Sequence, residues 1–502
     1  MHSYSATFMP PKGFPTTQFS MLEAEDIGLF KFDILSQRGL GKIKDSLELI
    51  RRNKGIHIDI HDTARFKTDA AVQQNLKNGQ AIGCFYIESP AMRGLLTKLQ
   101  AGDYLRLVAA SSIIRPGVAR SGMMREYILR YRHPELREKA RKEIPELYDL
   151  LEETYGVMVY QEDVIRVAHY FAGLSLAESD YLRRGMSWKF KQRNEFARVK
   201  NNFFSNCRKK GHSEKQIEAI WMQIESFANY AFSKGHSASY AVESYQALFL
   251  KTYFPLEYMT ATLNNGGGFY SRELYLHEAR MQGAQLRHPC VNRGEAGFSL
   301  QGKDLFVGLS AIQELEQESI RGILEERKRH GEYHSLYDFV RRLPLGIEQM
   351  RLLIRANAFA FTGRKKRELL WEVHALLRPL KHRAQMEVLF EQAPPEWSLP
   401  PLPAHPLEEA FDEMELFGFP FCSPFDLLAE IPQGGLPARE LAQHTGKYVK
   451  VYAYLVTTKY TRTIKGDTMY FGTFTDREGQ WIDTVHFPES AQRHPLPFPI
   501  GE

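Results

Sequence analysis

The spacing of apolar residues changes once along this chain, at a proline-rich segment, and that change restricts the fold more than any other feature. Residues 66–280 carry apolar side chains three and four positions apart, which predicts mostly amphipathic helix, and residues 281–380 contain two further helical pairs. Six of the 25 prolines then fall between Pro394 and Pro406, a density typical of a semi-rigid, extended linker. Residues 448–487 alternate β-branched and aromatic side chains around two turns, which predicts four or five strands in a small barrel.

Length and composition indicate a folded protein with several domains. The chain has 502 residues, of which 43% are hydrophobic and 25% charged. At roughly 150 residues per domain this suggests about three domains. The four cysteines are far apart and form no CxxC pair, so we expect a reducing cytoplasm. We find no continuous apolar run of membrane-spanning length and no basic-then-apolar signal peptide, and we therefore expect no membrane association.

Charge is distributed unevenly although the net charge is only +5. Residues 182–215 contain eleven Lys and Arg against two Asp and Glu, a net of +9. Residues 386–440 contain eleven Asp and Glu against one Arg, a net of −10. A basic region of this density suits a polyanion, and the acidic one has no evident reason to bind it.

Two segments carry possible metal ligands. Asp33 lies in GLFKFDIL, residues 28–35, whose alternation predicts a half-buried strand. A carboxylate there can serve two-metal phosphoryl chemistry, but a single Asp on a strand is also commonly solvent-facing. IHIDIHD, residues 56–62, would place His57, Asp59 and His61 on one strand face. We favour an exposed polar face for that segment, because the sequence offers no fourth ligand.

Three segments carry possible anion-binding residues. LRRGMSWKFKQR, residues 182–193, has no acid, and it favours binding to a triphosphate or a nucleic-acid backbone through a cluster that includes Arg183, Arg184 and Lys189. SKGHSASYA places Lys234 and His236 at a predicted helix start, where either phosphate binding or an ordinary capped helix fits. Arg115 lies in a glycine-containing turn, IIRPGVARSGM, which is equally consistent with a plain loop.

These segments together resemble a known family. GFPTTQF, GLFKFDIL, IGCFYIES, IIRPG, YGVMVYQEDV, DYLRRGM, FANYAFSKGHSASYA and KTYFPLEYM occur in the order found in bacterial C-family DNA polymerases, the DNA polymerase III alpha subunits. The resemblance runs from about residue 10 to the end of the chain.

The resemblance implies a mainly α multidomain protein with a short α/β palm remnant at its N-terminus and an all-β, OB-type domain at its C-terminus. The implied domains are the end of the palm (1–45), the fingers (46–280), the helix-hairpin-helix and clamp-binding region (281–392), a Pro-rich acidic linker (393–435) and the OB-type domain (436–502), which we expect to be incomplete.

The resemblance also implies roles for individual residues. Asp33 matches the third catalytic aspartate of the palm and would hold Mg²⁺ in a two-metal site. The implied nucleotide- and DNA-binding residues are Arg115, Arg183, Arg184, Lys189, Lys234 and His236. QMEVLF, residues 385–390, resembles a sliding-clamp peptide in which Gln385, Leu389 and Phe390 would contact the clamp.

Several motifs depart from the family pattern. No PDxDxDF motif, which supplies the first two catalytic aspartates, precedes Asp33, and the histidine-rich PHP domain is missing as well. The fingers motif, usually close to RRAMGKK, reads RRGMSWK and contains Trp188. The hairpin GLSAIQELEQESI lacks the usual Gly-x-Gly, and Glu314, Glu316 and Glu318 would repel DNA there.

The resemblance implies template-directed nucleotidyl transfer to a primer 3′-hydroxyl. The expected partners are primer-template DNA, deoxynucleoside triphosphates, a sliding clamp and a separate N-terminal polymerase half, without which we expect this chain to be inactive. The alternative is a non-catalytic scaffold that binds DNA and the clamp.

Overall fold

The structure, a computed structural model, describes residues 5–10, 13–30, 32, 37–114, 122–185, 194–227, 233–377, 403, 405–430, 432–463 and 466–494. The chain forms two compact units, Met1–Arg38 and Gly39–Glu502. In the first unit, strands β1 (Thr7–Phe8) and β2 (Thr16–Thr17) pair antiparallel and precede helix α1 (Met21–Asp26). Within the strand predicted over 28–35, the described residues 28–30 and 32 are not in a strand.

The second unit begins with a large helical region, as the apolar spacing predicted. Its α-helices are α2 (Arg38–Lys54), α3 (Thr63–Thr68), α4 (Ala70–Lys77), α5 (Pro90–Leu99), α6 (Tyr104–Ile113), α7 (Met123–Arg132), α8 (Pro134–Glu143), α9 (Pro145–Leu150), α10 (Gln161–Arg166), α11 (Leu176–Gly185), α12 (Asn194–Lys209), α13 (Glu214–Ser226), α14 (Lys234–Tyr253), α15 (Pro255–Asn265) and α16 (Arg272–Met281). A short 3-10 helix, Glu152–Thr154, precedes α10, and one π-helical turn, Val167–Phe171, follows it.

Helix α14 is the central element of this region. The Ser233 hydroxyl caps its start. It ends before Phe254, whose helical conformation Pro255 disfavours, and α15 then begins at Pro255. Its inner side chains pack against α3, α4, α6 and α15. Tyr245 and Phe249 are buried, and the Phe249 ring lies 4.3 Å from that of Phe66. This packing fixes the position of the helix start.

The segment 56–62 was predicted as a strand, and that prediction is wrong. Residues 55–59 have no regular structure, and Asp62 caps helix α3 by accepting a hydrogen bond from the Arg65 backbone N–H at 3.3 Å. Asp59 accepts from the backbone N–H of His61 at 2.9 Å. Both carboxylates accept hydrogen bonds from backbone N–H groups. None of the described residues of the segment belongs to a metal-ligand cluster.

A mixed region follows the large helical one. Strand β5 (Asp304–Phe306) lies between β3 (Gln285–Arg287), which is parallel to it, and β4 (Ser299–Gln301), which is antiparallel. The helices of this region are α17 (Gln317–His330), α18 (Leu336–Arg342), α19 (Ile347–Arg355) and α20 (Lys366–Leu376). Short 3-10 helices lie at Leu309–Ala311 and Ala360–Thr362.

The C-terminal region contains both a helix and a sheet. Helix α21 (Glu408–Phe417) forms inside the segment predicted as a linker, and 3-10 helices follow at Pro424–Leu427 and Ala438–His444. Strands β6 (Ala453–Arg462), β7 (Thr468–Asp476) and β8 (Trp481–His486) form an antiparallel sheet in the order β6-β7-β8, and helix α22 (Pro488–Arg493) follows. The described part of this region has three strands, where four or five were predicted, and no closed barrel.

Candidate functional site

Two helix ends that carry predicted anion-binding residues lie beside the start of α10. The guanidinium of Arg183, in the last turn of α11, donates to the Gln161 side chain at 3.3 Å. The next residue, Glu162, accepts from the backbone N–H of Lys234 at 3.0 and 3.2 Å. Adjacent residues therefore bind Arg183 and Lys234, which are about fifty positions apart in the chain. We call Arg183 and Lys234, together with their partners Gln161 and Glu162, the α10 cation site, because it gathers two cationic residues of the chain.

The start of α14 already holds an anionic group. The Ser233 side chain accepts from the His236 backbone N–H at 3.3 Å, and its oxygen lies 2.8 Å from His236 Nδ1. The Glu162 carboxylate occupies the position beside the first amide, where the helix dipole favours negative charge. The Lys234 ammonium contacts Glu153 at 2.5 Å. The first backbone amide of α14 and the Lys234 ammonium are therefore both engaged by carboxylates of the same chain, Glu162 and Glu153.

The two arginines of α11 face an acid in the same helix. Asp180 accepts from Arg183 at 2.7 and 3.0 Å, and Arg184 lies 3.6 Å from the second Asp180 oxygen. Arg183 is the more enclosed of the two, while the Arg184 side chain is 58% exposed. Arg184 is thus the more exposed of the two, and Arg183 is oriented by Asp180 and Gln161 together.

Asp163 fixes the backbone that carries Gln161 and Glu162. One of its carboxylate oxygens accepts from the backbone N–H groups of Val159 and Tyr160 at 2.8 and 2.9 Å. Burial raises the pKa of Asp163 to about 6, although these two hydrogen bonds favour the ionised form. A buried carboxylate therefore holds the first turn of α10 in place.

A group of aromatic side chains adjoins His236. The Tyr240 ring lies 6.2 Å from that of His236, 5.4 Å from Phe85 and 5.0 Å from Tyr86. Tyr86 has a φ of 69°, which is uncommon for a bulky residue, and Ser244 donates to the carbonyl of Phe85 at 2.9 Å. We call Phe85, Tyr86 and Tyr240 the aromatic group. These residues are half-buried, so part of each remains accessible to a ligand.

The first hairpin of the mixed region uses one of its amides within the protein. Glu314 adopts a φ of 63°, a backbone conformation that favours glycine. The backbone N–H of Glu316 donates to the Gln349 side chain at 2.9 Å, and Gln349 donates to the carbonyl of Glu314 at 3.3 Å. The Gln349 side chain therefore accepts the hydrogen bond of the Glu316 backbone N–H, which is not available to a ligand in this arrangement.

The structure brings together four of the predicted site residues. Arg183 and Lys234 meet at α10, with Arg184 and His236 on the same two helix ends. The remaining predictions lie outside the described residues: Asp33, Arg115, Lys189, Gln385, Leu389 and Phe390.

The sequence did not indicate the acids and aromatic residues that complete the site. These are Glu153, Glu162, Asp180, Phe85, Tyr86 and Tyr240. Glu153 and Glu162 lie 81 and 72 positions from Lys234, so no local spacing connects them. The adjacent aromatic residues of IGCFYIES were the one available signal.

No helix in the described part of the chain is long and apolar enough to cross a membrane.

Comparison with known proteins shows extended similarity to bacterial DNA polymerases. The DNA polymerase III subunit alpha of Aquifex aeolicus (strain VF5) is 31% identical over 366 residues, which cover 72% of this chain and 31% of that protein. The subunit alpha of Thermus aquaticus is 33% identical over 373 residues, covering 73% and 30%. That of Treponema pallidum (strain Nichols) is 30% identical over 502 residues, covering 96% and 42%. The chain thus spans less than half the length of these relatives.

Two family matches lie within the helical and mixed regions. The bacterial DNA polymerase III alpha subunit finger domain matches residues 39–211, and the helix-hairpin-helix motif matches residues 283–369. A finger domain followed by a helix-hairpin-helix motif defines the class, a DNA polymerase subunit. Within that class, the chain belongs to the family of bacterial DNA polymerase III alpha subunits.

Proposed function

We propose that this chain supplies the fingers and helix-hairpin-helix region of a DNA-directed DNA polymerase that works only with further polymerase segments. The α10 cation site is the observation that carries the proposal, because it gathers residues from two distant helix ends beside one helix start. Positive charge concentrated at helix ends suits the triphosphate of an incoming nucleotide. The finger-domain match covers α10 and α11 but ends before α14.

In this proposal the ligand displaces the carboxylates of Glu153 and Glu162 from Lys234. The triphosphate would take the positions of Glu153 and Glu162 beside Lys234, and the template backbone would lie near the exposed Arg184. The aromatic group would present ring faces to the nucleobase, and such stacking contributes about 1–3 kcal/mol per base. Arg115 and Lys189 would add positive charge to the same surface.

The reaction would be nucleotidyl transfer to DNA. The primer 3′-hydroxyl attacks the α-phosphate, the new phosphodiester bond forms, and the bond to pyrophosphate breaks. Membership of a polymerase family implies dependence on a divalent metal. Asp33 would hold Mg²⁺ jointly with carboxylates from the rest of the enzyme, and the bound metal supplies charge neutralisation at the transferred phosphate.

Primer extension with a complementing N-terminal half tests the proposal. Because the chain spans 42% or less of the three relatives, we expect no extension by the purified chain alone. We expect extension when the chain is mixed with an N-terminal half that carries the PDxDxDF motif. Replacing Asp33 with Ala should abolish this activity, whereas Asp26→Ala, a control at a nearby acid in α1, should retain it.

The outcome also separates the two candidate functions. Extension by the chain alone would contradict the need for further segments. Unchanged activity of the mixture after Asp33→Ala would contradict the metal assignment. The alternative, a scaffold that binds DNA and the clamp without catalysis, is favoured by the carboxylates that already occupy the α10 cation site. It predicts DNA binding by the mixture with no extension.

The clamp peptide is tested separately. We propose that Gln385, Leu389 and Phe390 bind a sliding clamp, and that the C-terminal strands form part of an OB-type domain that engages single-stranded template. Replacing Gln385 and Phe390 with Ala should abolish capture of the chain on an immobilised clamp. A matched control changes Gln392 and Trp397, which lie beyond the motif. Equal capture of all variants would place the clamp site elsewhere.

A further inference from the structure

We propose that His288, Glu409 and Glu413 form a binding site for a zinc-class divalent metal ion, independent of the polymerase reaction. His288 follows strand β3, and the two glutamates lie one turn apart on helix α21. One ligand atom from each residue lies within 4.8 Å of the other two. No short motif connects them, since His288 and Glu413 are 125 positions apart.

The distances between the ligand atoms fit a tetrahedral ion. His288 Nε2 lies 2.7 Å from Glu413 Oε1 and 3.5 Å from Glu409 Oε1. With metal-ligand bonds of about 2.0–2.1 Å, the ligands of a tetrahedral zinc ion are separated by roughly 3.3 Å. These two separations fall on both sides of that value, and the two glutamate oxygens lie within 4.8 Å of each other, so side-chain adjustments would bring the three atoms to tetrahedral spacing.

Neighbouring groups orient all three ligands. The second oxygen of Glu413 accepts from the Phe421 backbone N–H at 2.6 Å, which leaves Oε1 directed at His288. The His288 ring stacks on Phe421 with centroids 4.7 Å apart. Asn357 donates to Glu409 Oε1, the same oxygen that faces His288, at 3.1 Å, and would share that oxygen with the ion. Such supporting hydrogen bonds are typical of protein metal sites, where they fix the ligand geometry.

The charges and ligand types favour a transition metal. Glu413 is 4% exposed and interacts electrostatically with Arg280, and the second carboxylate, Glu409, adds negative charge that a metal ion would balance. An imidazole with two carboxylates suits zinc and its neighbours, whereas Mg²⁺ and Ca²⁺ prefer oxygen ligands alone. The Glu409 side chain is 52% exposed, so water can reach the fourth position. Lys366 lies 3.9 Å from Glu409 and makes it the weakest of the three ligands.

Metal titration of the full chain tests this proposal. The purified chain is stripped with a chelator, then titrated with Zn²⁺, and with Co²⁺ as a spectroscopic probe. We expect one ion per chain, tetrahedral Co²⁺ absorption, and a higher melting temperature because the ion links α21 to the end of β3. Binding should weaken as the pH falls, because protons compete for the ligands.

Variants distinguish this site from incidental binding. His288→Gln and Glu409→Gln should each weaken Zn²⁺ binding about tenfold or more, by analogy with supporting residues whose loss costs 10–100-fold. His330→Gln is the matched control, because His330 contacts a single glutamate, Glu326, at 2.8 Å. If His288→Gln fails to fold, the solvent-exposed Glu409→Gln decides. The proposal is overturned if the wild-type chain binds no stoichiometric Zn²⁺, or if Glu409→Gln binds it as tightly.

Discussion

Lys234 shows how a predicted ligand-binding residue can be engaged inside its own protein. Its ammonium contacts Glu153, and its backbone N–H donates to Glu162. Both Lys234 and Glu153 are more than a third exposed, so this contact is weak, on the order of 0.2–1 kcal/mol. A multiply charged phosphate can therefore displace the Glu153 carboxylate.

Removing the charge of Glu153 should tighten nucleotide binding. We expect Glu153→Gln to raise the affinity for a deoxynucleoside triphosphate by up to about fivefold, because the ligand no longer competes with a resident carboxylate. Isothermal titration of the full chain measures the effect. Glu146→Gln is the matched control, since Glu146 is similarly exposed and contacts Lys210 at 3.6 Å, away from α10. Equal or weaker binding by Glu153→Gln would contradict the proposed competition.

Asp163 should give the chain a characteristic pH dependence of stability. Its pKa is about 6 in the folded chain, above the ordinary value of 3.8 for an aspartate, so the folded state takes up the proton first as the pH falls. The wild-type chain should therefore gain about 1 kcal/mol of unfolding free energy relative to Asp163→Asn between pH 7 and pH 5. Urea unfolding at each pH measures this difference. It should stay nearly constant above pH 7, and a gain with rising pH would contradict the assignment.

Local sequence could predict the helix starts but not their acidic partners. Ser233 before Lys234 is a recognisable capping position, and the structure places the cap there. The carboxylates that face the helix come from another part of the fold, and periodicity within one helix carries no information about them. The uncommon φ of Tyr86 could not be predicted from local sequence either, because it depends on the surrounding packing.

Helix α21 shows that the partners of a whole helix, like those of a single residue, could not be predicted from local sequence. It lies in the segment predicted as a linker from its prolines, and its acidic charge predicted only that it would not bind a triphosphate or DNA. The structure instead places a row of its acids against basic residues of α19 and α20: Arg355 with Asp412 and Glu415, Lys366 with Asp412, and Arg367 with Glu408. Its apolar side chains Ala410, Leu416 and Phe417 are buried. Their spacing, followed by Gly418, was the signal for a helix.

Arg355 should be the main electrostatic support of this helix. It contacts Asp412 at 2.8 Å and Glu415 at 2.5 Å, and its side chain is largely enclosed. We expect Arg355→Ala to lower the unfolding free energy by about 1–3 kcal/mol, since hydrogen bonds to charged groups are lost and Asp412 stays partly buried. Urea unfolding measures this. Arg351→Ala, which removes an exposed pair with Glu348 in α19, should behave like wild type. Similar losses in both variants would contradict the role of α21 docking.

At the scale of the whole molecule, one buried ion pair connects distant regions of the second unit. Lys251 in α14 contacts Glu278 in α16 at 2.8 Å, and Glu278 accepts from the Trp481 indole of β8 at 3.3 Å. Burial alone would raise the pKa of Glu278, but the Lys251 ammonium holds it below its usual range. The hydrophobic pattern predicted helices before the proline-rich segment and strands after it. It could not predict that a charged pair inside the helical region would also hold the C-terminal sheet.

The ion pair gives the strongest stability prediction. Glu278→Gln leaves the Lys251 ammonium buried, with the Ile82 carbonyl at 2.7 Å as a remaining acceptor, and should cost about 3–5 kcal/mol of unfolding free energy. The double variant Lys251→Met with Glu278→Leu should recover much of this loss, because no unpaired charge remains. Urea unfolding compares them, with the exposed Arg493→Met as control. A double variant as unstable as Glu278→Gln would show that shape, rather than charge pairing, determines stability here.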